Sequence, residues 1–311
     1  MSQMKAIVDK LLTNVSNGYF PQGFIAESIL PSVAVKQKSG KLGKYGTSHL
    51  RIETTIAGGR GEFRRVESIT RSTDSYQIDS HGLEEVVSAD DYDNVELPFQ
   101  AEQDAVMGLT SLLLVGKEKG LADTLTSTSI MTQNTTLSGT SQFSNYESSD
   151  PVSAFQTARS AVYNGCGSLA DTAIMDWLVF DKIRYHPQLL RALGYADSRP
   201  GGLSEVELAS VLGVQRVLIA KARYESAKEG QSSSLASIWG KHIIFGVCPT
   251  SVELRQMSLG YRMQLSRSEP RKVYKYSLNN PPGSTGILCE DHYDMLINNP
   301  GAGYLLKDVI A

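Results

Sequence analysis

Hydrophobic positions divide the chain into stretches of different period. From Ser48 the apolar residues Leu50, Ile52 and Ile56 alternate with polar ones, and beyond Gly58-Gly59-Arg60-Gly61 come Phe63, Val66 and Ile69. A period near two around a glycine turn predicts a long hairpin. Its outward positions carry Arg51, Glu53, Arg60, Glu62, Arg64, Arg65, Glu67 and Arg71, too polar for both faces to be buried in one monomer, so the hairpin is expected to project. Before it, apolar clusters at Phe24, Ile25, Ile29, Leu30, Val33 and Val35 are broken by Pro21, Pro31 and five glycines. Such a segment buries little of its own surface and reads as an extended arm lying on the rest of the chain or on another subunit.

The period then lengthens. After Pro98, Phe99, Ala105, Val106, Leu109, Leu112, Leu113 and Leu121 form a stripe at helical spacing, which predicts a spine-like helix from Phe99 to about Leu125. Thr126 to Ser149 is a Ser/Thr/Asn tract read as loop or weak strands. Asp150-Pro151 opens a second helix with Val152, Phe155, Ala158 and Val162 on one face and a stop at Asn164-Gly165. Ile174 to Phe180 reads as a buried strand, Asp181 to Leu193 as a helix broken at His186-Pro187, Ser204-x-x-Glu207 as a capping box whose helix stops at Gly213, and Val217 to Ala220 as another strand. Strand, two helices and strand make a crossover unit with a parallel pair. Ile243 to Val247 and segments around Tyr261–Leu265, Val273–Tyr276 and Ile287–Leu288 supply further strands, joined by turns at Pro281-Pro282-Gly283 and Asn299-Pro300-Gly301.

Composition narrows the function. The 311 residues are 41% hydrophobic and 20% charged, the usage of a globular protein, and the formal charge of -3 lacks the basic field that a dedicated DNA binder needs. The longest apolar runs, such as Leu112–Val115 and Trp177–Phe180, are far shorter than a bilayer span, and no secretion signal is read at the N-terminus. Three scattered cysteines, Cys166, Cys248 and Cys289, argue against a disulfide frame and fit a reducing compartment.

Catalytic motifs are mostly absent. The Gly40–Thr47 stretch resembles a phosphate loop in composition only, Gly58–Gly61 lacks dinucleotide-binding spacing, and no nucleophile elbow occurs. His49, His81, His186, His242 and His292 form no metal-ligating pattern, so neither metal nor cofactor is expected. In an α/β sheet, Asp181, Lys182, Lys221 and Arg223 would lie at the strand ends where ligands bind, although Asp181 as a helix cap and solvated bases is the favoured reading. Cys166 between two glycines reads as a candidate exposed thiol without a neighbouring base. The sharpest charge cluster is Arg60, Arg64, Arg65 and Arg71, for which Glu84, Glu85, Asp90, Asp91 and Asp93 on a neighbouring copy are the natural complement.

The order of these features resembles the major capsid proteins of tailed bacteriophages with the Hong Kong 97-type fold. The resemblance rests on the arm from Phe24 to Val35 with Ser39–Gly46, the hairpin and the spine helix. It continues through Leu208–Leu218 to Lys221–Tyr224, Ile238–Lys241 and Asn298–Tyr304. It implies an α+β fold with an N-terminal arm (1–46), an extended β-hairpin loop (47–89), a peripheral domain with the spine helix (90–128), an axial domain with a central sheet and flanking helices (129–260), and C-terminal strands shared between the two (261–311). It further implies self-assembly into hexamers and pentamers of an icosahedral shell around double-stranded DNA, without sequence-specific binding. Assembly would take place in the host cytoplasm, with scaffolding, portal and decoration proteins as further partners and no membrane. Arg60, Arg64, Arg65, Arg71, Glu84 and Glu85 become inter-subunit contacts. Some members cross-link subunits through a Lys-Asn bond, but no lysine lies between Lys44 and Lys117, so none is expected here. The rivals are an encapsulin-type compartment and, in a different class, an α/β enzyme with a site near Asp181 and Lys221. The capsid reading expects that deleting Met1 to Leu30 abolishes particles while the core still folds.

Overall fold

The computed structural model describes residues 7–44, 52, 72–88, 90, 98–196, 199–228, 230–252, 257–266, 270–278 and 283–311. In chain order the first part comprises β1 (Ile7–Val8), α1 (Lys10–Gly18), α2 (Ala26–Ile29), β2 (Ser32–Val35), β3 (Ser39–Lys44), β4 (Ser72–Gln77), β5 (Asp79–Val87) and α3 (Pro98–Leu125). Then follow β6 (Asn134–Thr136), α4 (Pro151–Cys166), β7 (Thr172–Asp176), α5 (Trp177–Ile183), α6 (Pro187–Ala192), α7 (Glu205–Leu212) and β8 (Arg216–Ala220). The chain closes with β9 (Arg223–Glu225), β10 (Leu235–Ser237), β11 (Ile243–Gly246), β12 (Tyr261–Leu265), β13 (Arg271–Ser277), β14 (Thr285–Leu296) and β15 (Gly303–Lys307).

Two sheets organise the fold. One runs β1-β13-β14-β12-β2 with β5 on the other side of β14, and the second runs β6-β15-β11-β7-β8. β7 and β8 are parallel, as the crossover unit requires, with α5, α6 and α7 between them in sequence. α1 and α3 lie on the first sheet and share a core of Leu12, Val106, Leu109, Val273, Ile287 and Cys289. On the second sheet α4 contributes Phe155, Ala158 and Val162 to a core with Phe245, Met175 and Leu189. Between these cores lies a third cluster, in which Ile29 and Leu30 meet Leu121 and Leu125 of α3, Ile174, Ile244 and Trp239.

Several expectations need correction. Ile174–Phe180 is not one strand: β7 ends at Asp176, whose carboxylate accepts from the Leu178 backbone N–H and starts α5 at Trp177. An unbroken apolar run cannot separate strand from buried helix, and the capping aspartate decides. α4 passes through Asn164-Gly165 and stops at Gly167, which supplies the left-handed turn at φ 74°. Leu112 leaves the buried stripe of α3 and is exposed, because the buried positions run through Val106, Leu109, Thr110, Leu114, Lys117, Leu121 and Leu125. The Gly40–Lys44 stretch lies in β3, paired from Ser39↔Gln77 to Lys44↔Ser72 with β4, so antiparallel pairing begins eight residues before Thr47. The projecting hairpin proper, with Gly58–Gly61, lies outside the described residues, as does Pro281-Pro282.

Candidate assembly surface

The densest polar chemistry is buried where α2, α3 and the first sheet meet. Lys117 and Glu118 fall in phase with the apolar stripe of α3, so helix geometry carries both inward. The Lys117 ammonium lies 2.7 Å from Glu27 Oε1 and 3.1 Å from Asp291 Oδ2, and 4.5 Å from the centre of the Tyr293 ring. Arg262 Nη1 stands 3.4 Å from the same Glu27 oxygen. Burial opposes ionisation of Glu27, but Lys117, Arg262 and Arg271 outweigh it and hold the carboxyl below its ordinary value.

Glu118 is arranged differently. Its carboxylate accepts from the backbone N–H of Ile25 at 3.1 Å and of Ala26 at 2.8 Å, and from Trp239 Nε1 at 2.6 Å. It thus caps α2 and ties the 25–30 segment to α3 and to the third cluster. Burial raises its pKa, and the three hydrogen bonds offset that only partly. Sequence reasoning passed over Lys117 and Glu118; the available signal was two charges set on a buried stripe.

The structure separates the predicted contact residues. Arg60, Arg64, Arg65 and Arg71, with Asp91 and Asp93, lie outside the described residues. Glu84 and Glu85 are exposed on β5, and their pairing with Leu288 and Ile287 puts them on opposite faces of the sheet. Glu85 shares the α3 face with Asp79, His81 and Leu83, whereas Glu84 faces away and accepts from the Tyr276 hydroxyl. Tyr276 reaches it by lying across Gly286, where any Cβ would overlap the ring.

β5 and α3 border an open cleft of about 580 Å³, lined by Ser80, His81, Leu83, Leu112, Gly116 and Tyr293 among others. His81 stacks on Tyr293 at 4.3 Å between ring centres.

The enzymatic rival finds little support in the geometry. Asp181 belongs to the last turn of α5 and caps nothing, since the cap is Asp176. Asp176, not Asp181, faces the 290 Å³ pocket with Trp177, Lys221 and Arg223, and its second oxygen accepts from Ser237 Oγ. Ser149 Oγ lies 2.9 Å from His186 Nε2, but His186 Nδ1 accepts from the Gln188 N–H. The neutral ring therefore carries its proton on Nε2 and cannot take one from Ser149. Cys166 is buried rather than exposed, and burial pushes the Cys248 thiol up to about 12, far from a reactive thiolate. Among the described residues no cluster of metal-ligating side chains occurs, and no helix is long and apolar enough to cross a membrane.

No family model matches the chain. It is 27% identical over 246 residues to the major capsid protein of Burkholderia phage BcepMu, covering 78% of this chain and 77% of that one. A second relative, the major capsid protein of Pseudomonas phage JBD67, is 26% identical over 254 residues, covering 79% and 78%. Among solved structures, a phage-related protein of Bordetella bronchiseptica aligns with a TM-score of 0.75 at 20% identity, covering 98% of both chains. The mature capsid of bacteriophage PhiM1 aligns with a TM-score of 0.57 at 12% identity, covering 99% of this chain and 91% of that one. The sequence relatives and the shared α+β fold agree: the chain is similar to the major capsid proteins of tailed phages and has the fold of phage capsid structures.

Proposed function

We propose that this chain assembles, without catalysing a reaction, into hexamers and pentamers of an icosahedral shell that encloses double-stranded DNA. The observation that carries the reading is its similarity over more than three quarters of its length to two phage major capsid proteins. Neither sequence relative is a cargo compartment, which favours a genome shell over an encapsulin. In this reading the first sheet with α3 is the peripheral domain and the second sheet with α4 to α7 the axial domain, while β15 returns from one to the other. The shell forms in the host cytoplasm with scaffolding, portal and decoration proteins as partners. Its slightly acidic charge of -3 suits a container that holds DNA without gripping its sequence. Arg60, Arg64, Arg65 and Arg71 meet Glu84, Glu85 and their neighbours on an adjacent copy.

The test is expression of the full chain, alone and with any adjacent scaffolding gene, followed by light scattering and electron microscopy. Closed shells of uniform size are expected. A folded monomer or small oligomer under both conditions would sink the proposal.

A further inference from the structure

The pocket that an enzyme would need at the end of the second sheet holds a different chemistry. Asp176, Trp177, Lys221 and Arg223 line its 290 Å³. Asp176 is buried and both its oxygens are engaged, one by the Leu178 N–H and the other by Ser237 Oγ. Lys221 and Arg223 are exposed, and among the described residues neither has an ion-pair partner. Trp177, the first residue of α5, is 39% exposed, with the Lys221 ammonium 5.4 Å from its ring centre.

Backbone bonds hold the two cations in place. The Lys221 N–H donates to the Gly23 carbonyl. Arg223 stands opposite Ser237 in the β9–β10 ribbon, on the face from which Ser237 reaches Asp176. The pocket thus sets two unspent positive charges against one engaged carboxylate, beside a flat apolar ring.

We propose that this pocket touches the enclosed DNA: Lys221 and Arg223 take backbone phosphates, Trp177 packs on the adjoining sugar, and this end of the second sheet faces the lumen. Charge and shape choose the occupant. A phosphodiester backbone alternates an anion with an apolar sugar, which two cations flanking an indole complement. A net charge of -3 gives the chain no general basic field, so the contact is weak in one copy and gains strength only over many. The assignment rests on the shell reading and deepens it: it gives the DNA a contact and the shell an inner face.

Titration of the unassembled full chain with a short DNA duplex at low salt reads the site through Trp177, because the second tryptophan, Trp239, is buried. Emission should fall, and Trp177→Phe should abolish the change. Log affinity should decline with log salt at a slope of about -2, and Lys221→Ala or Arg223→Ala should each take about 1 from that slope. The double variant should lose the response while melting like wild type, since the backbone bonds to Gly23 and across the ribbon remain. In intact shells, an amine-reactive polymer too large to enter should leave Lys221 unlabelled, although it labels Lys221 in the unassembled chain. No response to the duplex, or an equal response to polyglutamate, would overturn DNA as the occupant and leave the shell reading intact. Labelling of Lys221 in intact shells would overturn its place on the lumen. Absence of wild-type shells under both expression conditions would remove the shell reading and this one with it.

Discussion

Glu27 and Glu118 sit near one another in the same buried region, yet their surroundings push them in opposite directions. Glu118 has three N–H donors and a raised pKa; Glu27 has Lys117 and two arginines and a lowered one. A raised carboxyl contributes stability that is fully present below its unfolded value, near 4.5, and lost as pH rises through the native value. A lowered one contributes stability present above about 4.5 and lost as pH falls through the native value. Urea midpoints across pH 3 to 7 should therefore separate two variants. Glu27→Gln should flatten the loss on the acid side, and Glu118→Gln should remove the decline on the neutral side. Glu118→Gln should also cost about 1–3 kcal/mol at all pH values, because its amide nitrogen must face one of three donors and leave it unpaired. An unchanged midpoint in Glu118→Gln would mean that the carboxylate does not hold the 25–30 segment. Composition gave no hint of this pair, since only the helical phase of Lys117 and Glu118, combined with a partner 90 residues away in sequence, makes it visible.

Elements whose ends carry their own chemistry obey local rules, and that locality can be measured. Ser204 accepts from the Glu207 N–H while Glu207 accepts from the Ser204 N–H, and Arg199 and Tyr195 donate to the other Glu207 oxygen. The Ser204 N–H, then Arg199 and Tyr195, bring the Glu207 carboxyl down to about 2. Ser204→Ala should lower stability by about 1 kcal/mol, read as a drop in Tm. Gly213→Ala should cost more, because residue 213 sits at φ 65° and a Cβ there would overlap the Arg159 guanidinium. Equal effects of the two substitutions would show that the αL turn relaxes. These signals explain why α3, α4, α7 and the β7–β8 crossover were legible in the sequence: each has a cap, a proline or a glycine at its boundary. Where an apolar run crosses from strand to helix without such punctuation, as from Ile174 to Phe180, the boundary waits on tertiary contacts. The position of Leu112 was likewise not legible, because a stripe four residues wide cannot show which flank the sheet covers.

At the scale of the molecule, the first 46 residues are less of an arm than their prolines and glycines suggest. β1 is a two-residue edge strand with Ile7 exposed, whereas Ile29 and Leu30 are buried between α3 and the second sheet. β2 pairs in parallel with β12, and the Lys221 and Ala222 N–H groups both donate to the Gly23 carbonyl, so the segment bridges the two sheets. Among the described residues, removal of Met1 to Val8 sacrifices one short edge pairing, and it should leave a cooperative melt close to that of the full chain. Removal of Met1 to Leu30 should not leave the folded core expected from sequence alone. It exposes the pocket of Ile29 and Leu30, each worth about 1.5–3 kcal/mol when fully buried. It also strips Glu118 of two of its donors, leaving only Trp239, and Lys117 of Glu27, leaving only Asp291, so buried charge loses most of its compensation. Together these losses rival the whole stability of an ordinary domain, about 5–15 kcal/mol. Circular dichroism and thermal melts of the two truncations decide the matter. A cooperative melt after the longer deletion would make 25–30 a detachable strap, and an unfolded product would make it part of the joint on which the two sheets depend. The second outcome is expected, and because α1 also places Leu12 in the core with α3, a truncation meant to probe assembly must stop before Asp9.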